Sequence, residues 1–188
     1  MTNSDLAAGK RARLVAAACQ MVHEQGVENT TLADIAQAAG VPLGNVYYYF
    51  KTKNDIVRAV VETHLDEANA MLAAIEAGHA TPRERLKAVF AGLSEQTELI
   101  ARYGCPTGSL CAELDKRADG PGITADLLRV PVDWAAAQFE AMGRSDGRDL
   151  AVELIARYQG TALLANTFRD PGLMEREAAR VAAWIDSI

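Results

Sequence analysis

Several things are missing from this sequence, and each absence narrows the field. No apolar stretch approaches the roughly 18 residues needed to cross a membrane, and the N-terminus lacks a basic start followed by an apolar core, as a secretory leader requires. The expected location is therefore the cytoplasm, with no membrane partner. Cysteine is rare: Cys19, Cys105 and Cys111 are an odd number without zinc spacing, which indicates neither a disulfide scaffold nor a structural metal. His23, His64 and His79 also lack metal-ligand spacing. No nucleotide-binding loop, internal repeat or low-complexity segment occurs, so neither a metal nor a cofactor is expected. Runs of β-branched residues are scarce, which disfavours sheet.

What is present is helix-forming and globular. Of the 188 residues, 49% are hydrophobic and 23% charged, and alanine is abundant. The net charge of −6 speaks against nucleic acid until its distribution is considered. Residues 1–58 hold Lys10, Arg11, Arg13, Lys51, Lys53 and Arg58 against Asp5, Glu24, Glu28, Asp34 and Asp55, a net of +1, leaving −7 for the rest. A near-neutral head with clustered basic residues on an acidic body is compatible with DNA binding by the head.

The pattern predicts about nine helices in an all-α fold. The first runs from about Lys10 to Glu24, with Leu14, Ala17, Ala18, Met21 and Val22 on one face and Gly26 ending it. Thr31 and Asp34, three residues apart, predict a capping box opening a short helix, Leu32 to Ala39. Gly40 ends that helix, and another short one covers about Leu43 to Tyr49. Thr52 caps a long helix to about Ala77, some 37 Å in extent at about 1.5 Å per residue. Further helices are expected from Pro82 to Arg102, Ser109 to Arg117, Thr124 to Met142, Asp149 to Phe168 and Gly172 to Ile188. Between them lie a turn at Tyr103–Gly108 and a loop at Asp119–Gly122. Pro131 is expected to kink or interrupt its helix.

Two short helices joined by a glycine turn have the makings of a helix-turn-helix. Such helices cross steeply, so a small residue must stand at the crossing, and Ala36 qualifies. Val41 and Val46 plug the core. Pro42, Leu43, Gly44, Asn45, Tyr47 and Tyr48 are left towards the outside, while Tyr49 and Phe50 turn inward.

The run Thr30-Thr-Leu-Ala-Asp-Ile-Ala-Gln-Ala-Ala-Gly-Val-Pro-Leu-Gly-Asn-Val-Tyr-Tyr-Tyr-Phe-Lys-Thr-Lys-Asn-Asp-Ile56 resembles the signature of the TetR/AcrR family of transcriptional regulators. The specific likeness covers residues 10–58; the remainder agrees in helix count and order. It implies a helix-turn-helix DNA-binding domain at 1–52 and a helical ligand-binding and dimerisation domain at 53–188. By position, Thr31 and Lys53 would meet phosphates, Tyr48 a phosphate, Tyr47 the major groove, and Asn45 a base edge or phosphate, with Gly44 allowing close approach. Leu43 stands where many relatives are basic or polar and Tyr49 where many have histidine. Leu43 suits a thymine methyl.

The resemblance further implies a dimeric, ligand-responsive repressor, not an enzyme, bound to double-stranded operator DNA and released by a small-molecule effector. The alternative is a helix-turn-helix protein that senses redox state through Cys105 and Cys111, or has no small-molecule switch. Candidate ligand-pocket residues are Met71, Phe90, Leu93, Leu110, Trp134, Phe139, Tyr158 and Thr161, with plain core packing as the competing reading. Candidate dimer-interface residues are Leu150, Ile155, Leu163, Val181, Trp184 and Ile185, which would serve equally in an intramolecular core.

Overall fold

The computed structural model describes residues 3–116 and 122–188, with side chains from residue 9 onward. The loop signal at Asp119–Pro121 lies outside the described residues, as does Arg117, the expected end of its helix. The described residues form α-helices: α1 Asn3–Gln25, α2 Leu32–Ala38, α3 Leu43–Tyr49, α4 Lys53–Gly78, α5 Pro82–Leu93, α6 Thr97–Tyr103, α7 Pro106–Leu114, α8 Ala125–Ala141, α9 Gly147–Phe168 and α10 Gly172–Ser187. No strand occurs among them.

α1 begins at Asn3, ahead of the expected start at about Lys10, and two further boundaries differ for local reasons. The segment Pro82–Arg102 divides at Ser94, whose N–H bonds to the carbonyls of Phe90 and Ala91, a tightened last turn that ends α5. The expected turn at Tyr103–Gly108 is shorter. Gly104 alone turns the chain, at φ +85°, and Pro106 then opens α7, where the missing N–H costs nothing. Pro131 neither ends nor interrupts α8, which is helical on both sides of it.

The chain forms two compact units, Met1–His64 with Ser109–Thr124, and Leu65–Gly108 with Ala125–Ile188. The division expected at 52/53 therefore shifts along the chain. The start of α4 is apolar on one side, and Ile56, Val57, Val60 and Val61 are buried there. They commit these turns to the first unit's interior, together with Leu14, Ala18, Val27, Ile35 and Val46.

In the second unit α8 and α9 pack along each other, flanked by α10, α5 and α6. Leu86, Phe90, Phe139, Leu154, Tyr158, Met174, Val181 and Ile185 form one continuous core. Phe139 has no exposed surface. Truncating such a side chain removes its transfer free energy and leaves a cavity. Phe139→Ala is therefore expected to cost about 3–5 kcal/mol of stability, measurable by denaturant unfolding.

Three helices start from threonine–carboxylate caps. The Thr31 hydroxyl accepts from the Asp34 N–H at 3.2 Å, and the Asp34 carboxylate accepts the Thr31 N–H at 3.1 Å. Thr81 and Glu84 repeat the arrangement at α5. At α4 the Asp55 carboxylate takes the N–H groups of Lys51 and Thr52, both at 2.9 Å. Hydrogen bonds from the Thr31 hydroxyl and N–H hold Asp34 below its ordinary 3.8, and the Thr52 N–H does the same for Asp55. A carboxylate depressed in the folded state adds stability that is present above its unfolded pKa and is lost as pH falls through the folded value. The thermal midpoint is thus expected to be level near neutrality and to decline below about pH 4. Asp34→Asn should flatten part of that decline in a circular-dichroism melt series; an unchanged profile would remove Asp34 from the account.

Candidate nucleic-acid interface

The recognition end is built from α2, a glycine turn and α3. Gly40 adopts φ +62°, a conformation cheap only for glycine. The chain then closes back through the Val41 N–H, which donates to the Ala36 carbonyl at 3.0 Å. Ala36 is 3% exposed, so the small residue expected at the crossing is indeed enclosed. Val41 and Val46 are buried and fix α3 against the head's interior.

With that face pinned, the opposite face must look outward. Tyr48 is 74% exposed, Tyr47 48% and Leu43 43%, and Pro42 and Gly44 are exposed beside them. Large side chains this exposed on a short helix leave much of their surface open to a partner. Asn45 is half-buried, with a smaller outward surface. Tyr49 is half-buried and meets the Tyr48 ring edge-on at 4.9 Å, and Phe50 is buried beneath the Arg11 guanidinium at 5.4 Å. The tyrosine triplet thus divides as the helical period demands: two residues out and one turned in.

Two lysines of the head are tied to its backbone carbonyls. The Lys51 ammonium donates to the Tyr47 carbonyl at 2.6 Å, placing a positive charge at the C-terminal end of α3. Lys53, in the first turn of α4, donates to the Glu28 carbonyl at 3.0 Å, and Thr31 is exposed at the N-terminus of α2. The turn carrying Glu28 is also met by Glu113 of α7, whose carboxylate accepts the Val27 and Glu28 N–H groups at 2.8 and 2.7 Å. Sequence reasoning missed Glu113, because nothing in a local pattern pairs residues 86 positions apart.

The proposed pocket residues separate. Leu110 belongs to the first compact unit and not with the others, because the Ser109–Leu114 part of α7 is committed to the head. Phe90, Phe139 and Tyr158 are buried in the second unit's core, with Phe90 and Tyr158 edge-to-face at 6.0 Å. Burial pushes the Tyr158 phenol well above its ordinary value, so it stays a neutral hydroxyl. Trp134 is half-buried and donates to the Glu76 carboxylate at 2.7 Å; Met71, Leu93 and Thr161 are also half-buried.

The proposed interface residues divide by their burial in the single chain. Val181 and Ile185 have no exposed surface within their own chain, and Leu150 and Ile155 have under a tenth, so these four are core. Trp184 is half-buried, between the Phe139 ring and the Arg157 guanidinium. Of the six, only Leu163, 66% exposed, offers a large free surface.

Cys105 and Cys111 are buried thiols. The Cys105 sulfur accepts from the Gly108 N–H at 3.4 Å and from Gln159 Nε2 at 3.6 Å, while the Cys111 thiol donates to the Thr124 carbonyl. Among the described residues, no group of His, Cys, Asp or Glu is placed to hold a metal ion, and no helix is long and apolar enough to cross a membrane.

Residues 14–60 match the family described as bacterial regulatory proteins, tetR family. A helix-turn-helix-type transcriptional regulator encoded in the lacX 3′ region of Lactococcus lactis subsp. lactis is 25% identical over 173 residues, covering 87% of this chain and 86% of that protein. The transcriptional repressor DhaR of Mycobacterium sp. strain GP1 is 27% identical over 154 residues, covering 79% and 75%. The crystal structure of a TetR transcriptional regulator from Chloroflexus aurantiacus has a TM-score of 0.84 at 22% identity, covering 97% of this chain and 96% of that one, a likeness of fold. The family match falls on the residues that build α1 to the first turns of α4, and the relatives extend it over most of the chain. Residues 14–60 are therefore those of a tetR-family head, and over most of its length the chain is similar to helix-turn-helix-type transcriptional regulators.

Proposed function

We propose that this regulator is a repressor that binds operator DNA as a homodimer and is released by a small-molecule effector bound in its second unit. The observation that carries the DNA half is the outward set Leu43, Tyr47 and Tyr48 on a helix whose other face is fixed by Val46. Tyr47 and Leu43 meet base edges in the major groove, Leu43 through a thymine methyl. Tyr48, Thr31 and Lys53 meet phosphates, which position the head but do not read sequence. Lys53 has three ammonium donors, so it can keep the Glu28 carbonyl while contacting a phosphate. The repressor role is supported by relatives such as DhaR, named for that activity.

The dimer half rests on α9. Its inner face carries Leu154, Tyr158, Ala162 and Ala165 into the core, yet its outer face is also apolar: Val152 50% exposed, Leu163 66%, Leu164 47% and Phe168 64%. Ala156 and Gly160 are exposed between them, at the i, i+4 spacing that makes one continuous stripe. A helix apolar on both faces needs a cover on both, and small residues mid-stripe let a partner helix come close. The same stripe on a second copy provides that cover about a two-fold axis. In the second unit the Tyr158 ring meets Phe90 edge-to-face and the Gln159 amide donates to the Cys105 sulfur, aromatic and polar groups of the kind that line effector sites.

The test begins with selection of genomic DNA fragments by the wild-type chain. Lys53→Ala is expected to weaken all recovered fragments alike and to lower the slope of log affinity against log salt by about 1 per protomer. Tyr48→Ala should weaken binding similarly without changing sequence preference, whereas Leu43→Ala should relax preference at one base pair. Unchanged affinity in both Tyr48→Ala and Lys53→Ala would sink the proposed surface.

For the dimer, sedimentation of Leu163→Glu/Phe168→Glu is the check. The pair should yield a folded monomer with undiminished helicity and at least ten-fold weaker operator binding. A variant that remains dimeric would move the interface elsewhere.

A further inference from the structure

The turn from α1 to α2 decides where the helix-turn-helix points, and its backbone groups are nearly all committed. Gly26 ends α1 at φ +81°, its N–H bonded to the Val22 carbonyl. The next two N–H groups, of Val27 and Glu28, then face the same side, an arrangement that forms an anion-binding concavity. The Glu113 carboxylate fills it, Oε2 taking Val27 at 2.8 Å and Oε1 taking Glu28 at 2.7 Å. A Cβ on Gly26 would lie 3.0 Å from Glu113 Oε2, so the glycine admits the carboxylate as well as the turn. On its carbonyl side the turn is held by the Thr30 hydroxyl, donating to Gly26 at 2.7 Å, and by Lys53, donating to Glu28. One residue later Thr31 starts the capping box of α2.

Thr30 and Lys53 are neighbours in the head's own sequence, but Glu113 is not. It comes from α7, whose Ser109–Leu114 part is counted with the first compact unit and whose Pro106–Gly108 part is counted with the second. No structural need of α7 requires a carboxylate at this place, since its own packing is supplied by the buried Leu110, Cys111 and Leu114. We propose that Glu113 is a positioning residue for DNA reading: its carboxylate, seated on the Val27 and Glu28 N–H groups, sets the angle at which α2 and α3 leave α1. Both hydrogen bonds are charge-assisted, which makes them shorter and stronger than neutral ones. Lys53 holds the same residue of the turn, so a shift of the turn displaces an expected phosphate contact along with the recognition helix. The proposal rests on the reading that this head binds DNA.

The experiment compares full-length wild type and Glu113→Ala on a fragment selected by the wild type, at a temperature where circular dichroism shows both fully folded. Glu113→Ala is expected to bind about ten-fold more weakly, a difference of about 1.4 kcal/mol. Its salt slope should match the wild type, because no phosphate contact is deleted. Acetate in place of chloride at constant ionic strength should restore part of the affinity by occupying the emptied concavity, and should not strengthen the wild type. In amide exchange, Val27 and Glu28 should exchange faster in Glu113→Ala, with the middle of α1 unchanged. Glu113→Gln, which keeps one acceptor oxygen, stands in if the alanine variant does not fold, and is expected to lose about three-fold. Affinity within two-fold of wild type in a folded variant overturns the proposal, as does a loss that acetate leaves untouched while the salt slope changes. A wild type that selects no DNA sinks the DNA reading, and the exchange arm still reports whether Glu113 holds the turn.

Discussion

A short stretch of backbone after α1 has to reverse the chain, bury Val27 and deliver Thr31 to the start of α2 without leaving polar groups stranded. Gly26 makes the reversal possible, but a glycine turn alone leaves N–H groups exposed at the edge of an apolar interior. The structure satisfies them with a carboxylate from α7 and satisfies the carbonyl side with Thr30 and Lys53. The orientation of α2 follows from this, and α3 follows from α2 through the tight Gly40 turn. The outward display of Leu43, Tyr47 and Tyr48 is the last consequence in that series, not an independent feature.

Electrostatics then explains how an acidic chain can present a DNA-binding surface. At the ionic strength of a cell, charges farther apart than about 8 Å are largely screened. On the proposed function, a phosphate would meet the local set: Lys51 at the end of α3, Lys53 at the start of α4 and the N–H groups at the start of α2. Two acidic side chains of this head are turned towards backbone N–H groups. Asp34 and Asp55 cap α2 and α4, where a helix's positive end favours them.

Much of the head was legible in the sequence, since its structure is specified by local chemistry. The Thr31–Asp34 box, the positive-φ Gly40, the limits of α3 and the inward Phe50 all follow from residue types at short spacing. The division of Pro82–Arg102 was not legible, because Ser94 ends α5 by a shift of hydrogen bonding with no proline or glycine to announce it. Leu110 looked like any apolar residue of the body; its membership of the first unit depends on where α7 docks, which periodicity does not encode. Glu113 was invisible for the same reason. Its partners are backbone N–H groups, and these carry no side-chain signature.

The hardest distinction was between core and interface, and α9 and α10 show why. Both surfaces are made of the same aliphatic residues at the same helical spacing, so sequence offers Val181 and Leu163 as equals. Burial separates them: Val181 is fully enclosed and Leu163 is two-thirds exposed. On α9 the two faces lie on opposite sides of one helix, with Tyr158, Ala162 and Ala165 against the core and Leu163, Leu164 and Phe168 in water. Exposure of that much contiguous apolar surface is unfavourable by about 25 cal/mol for each Å², and a helix gains nothing from it unless another surface arrives. The inner face therefore accounts for the fold of the single chain. The outer face is what the single chain leaves unfinished, and the second copy proposed above would cover it with the same stripe.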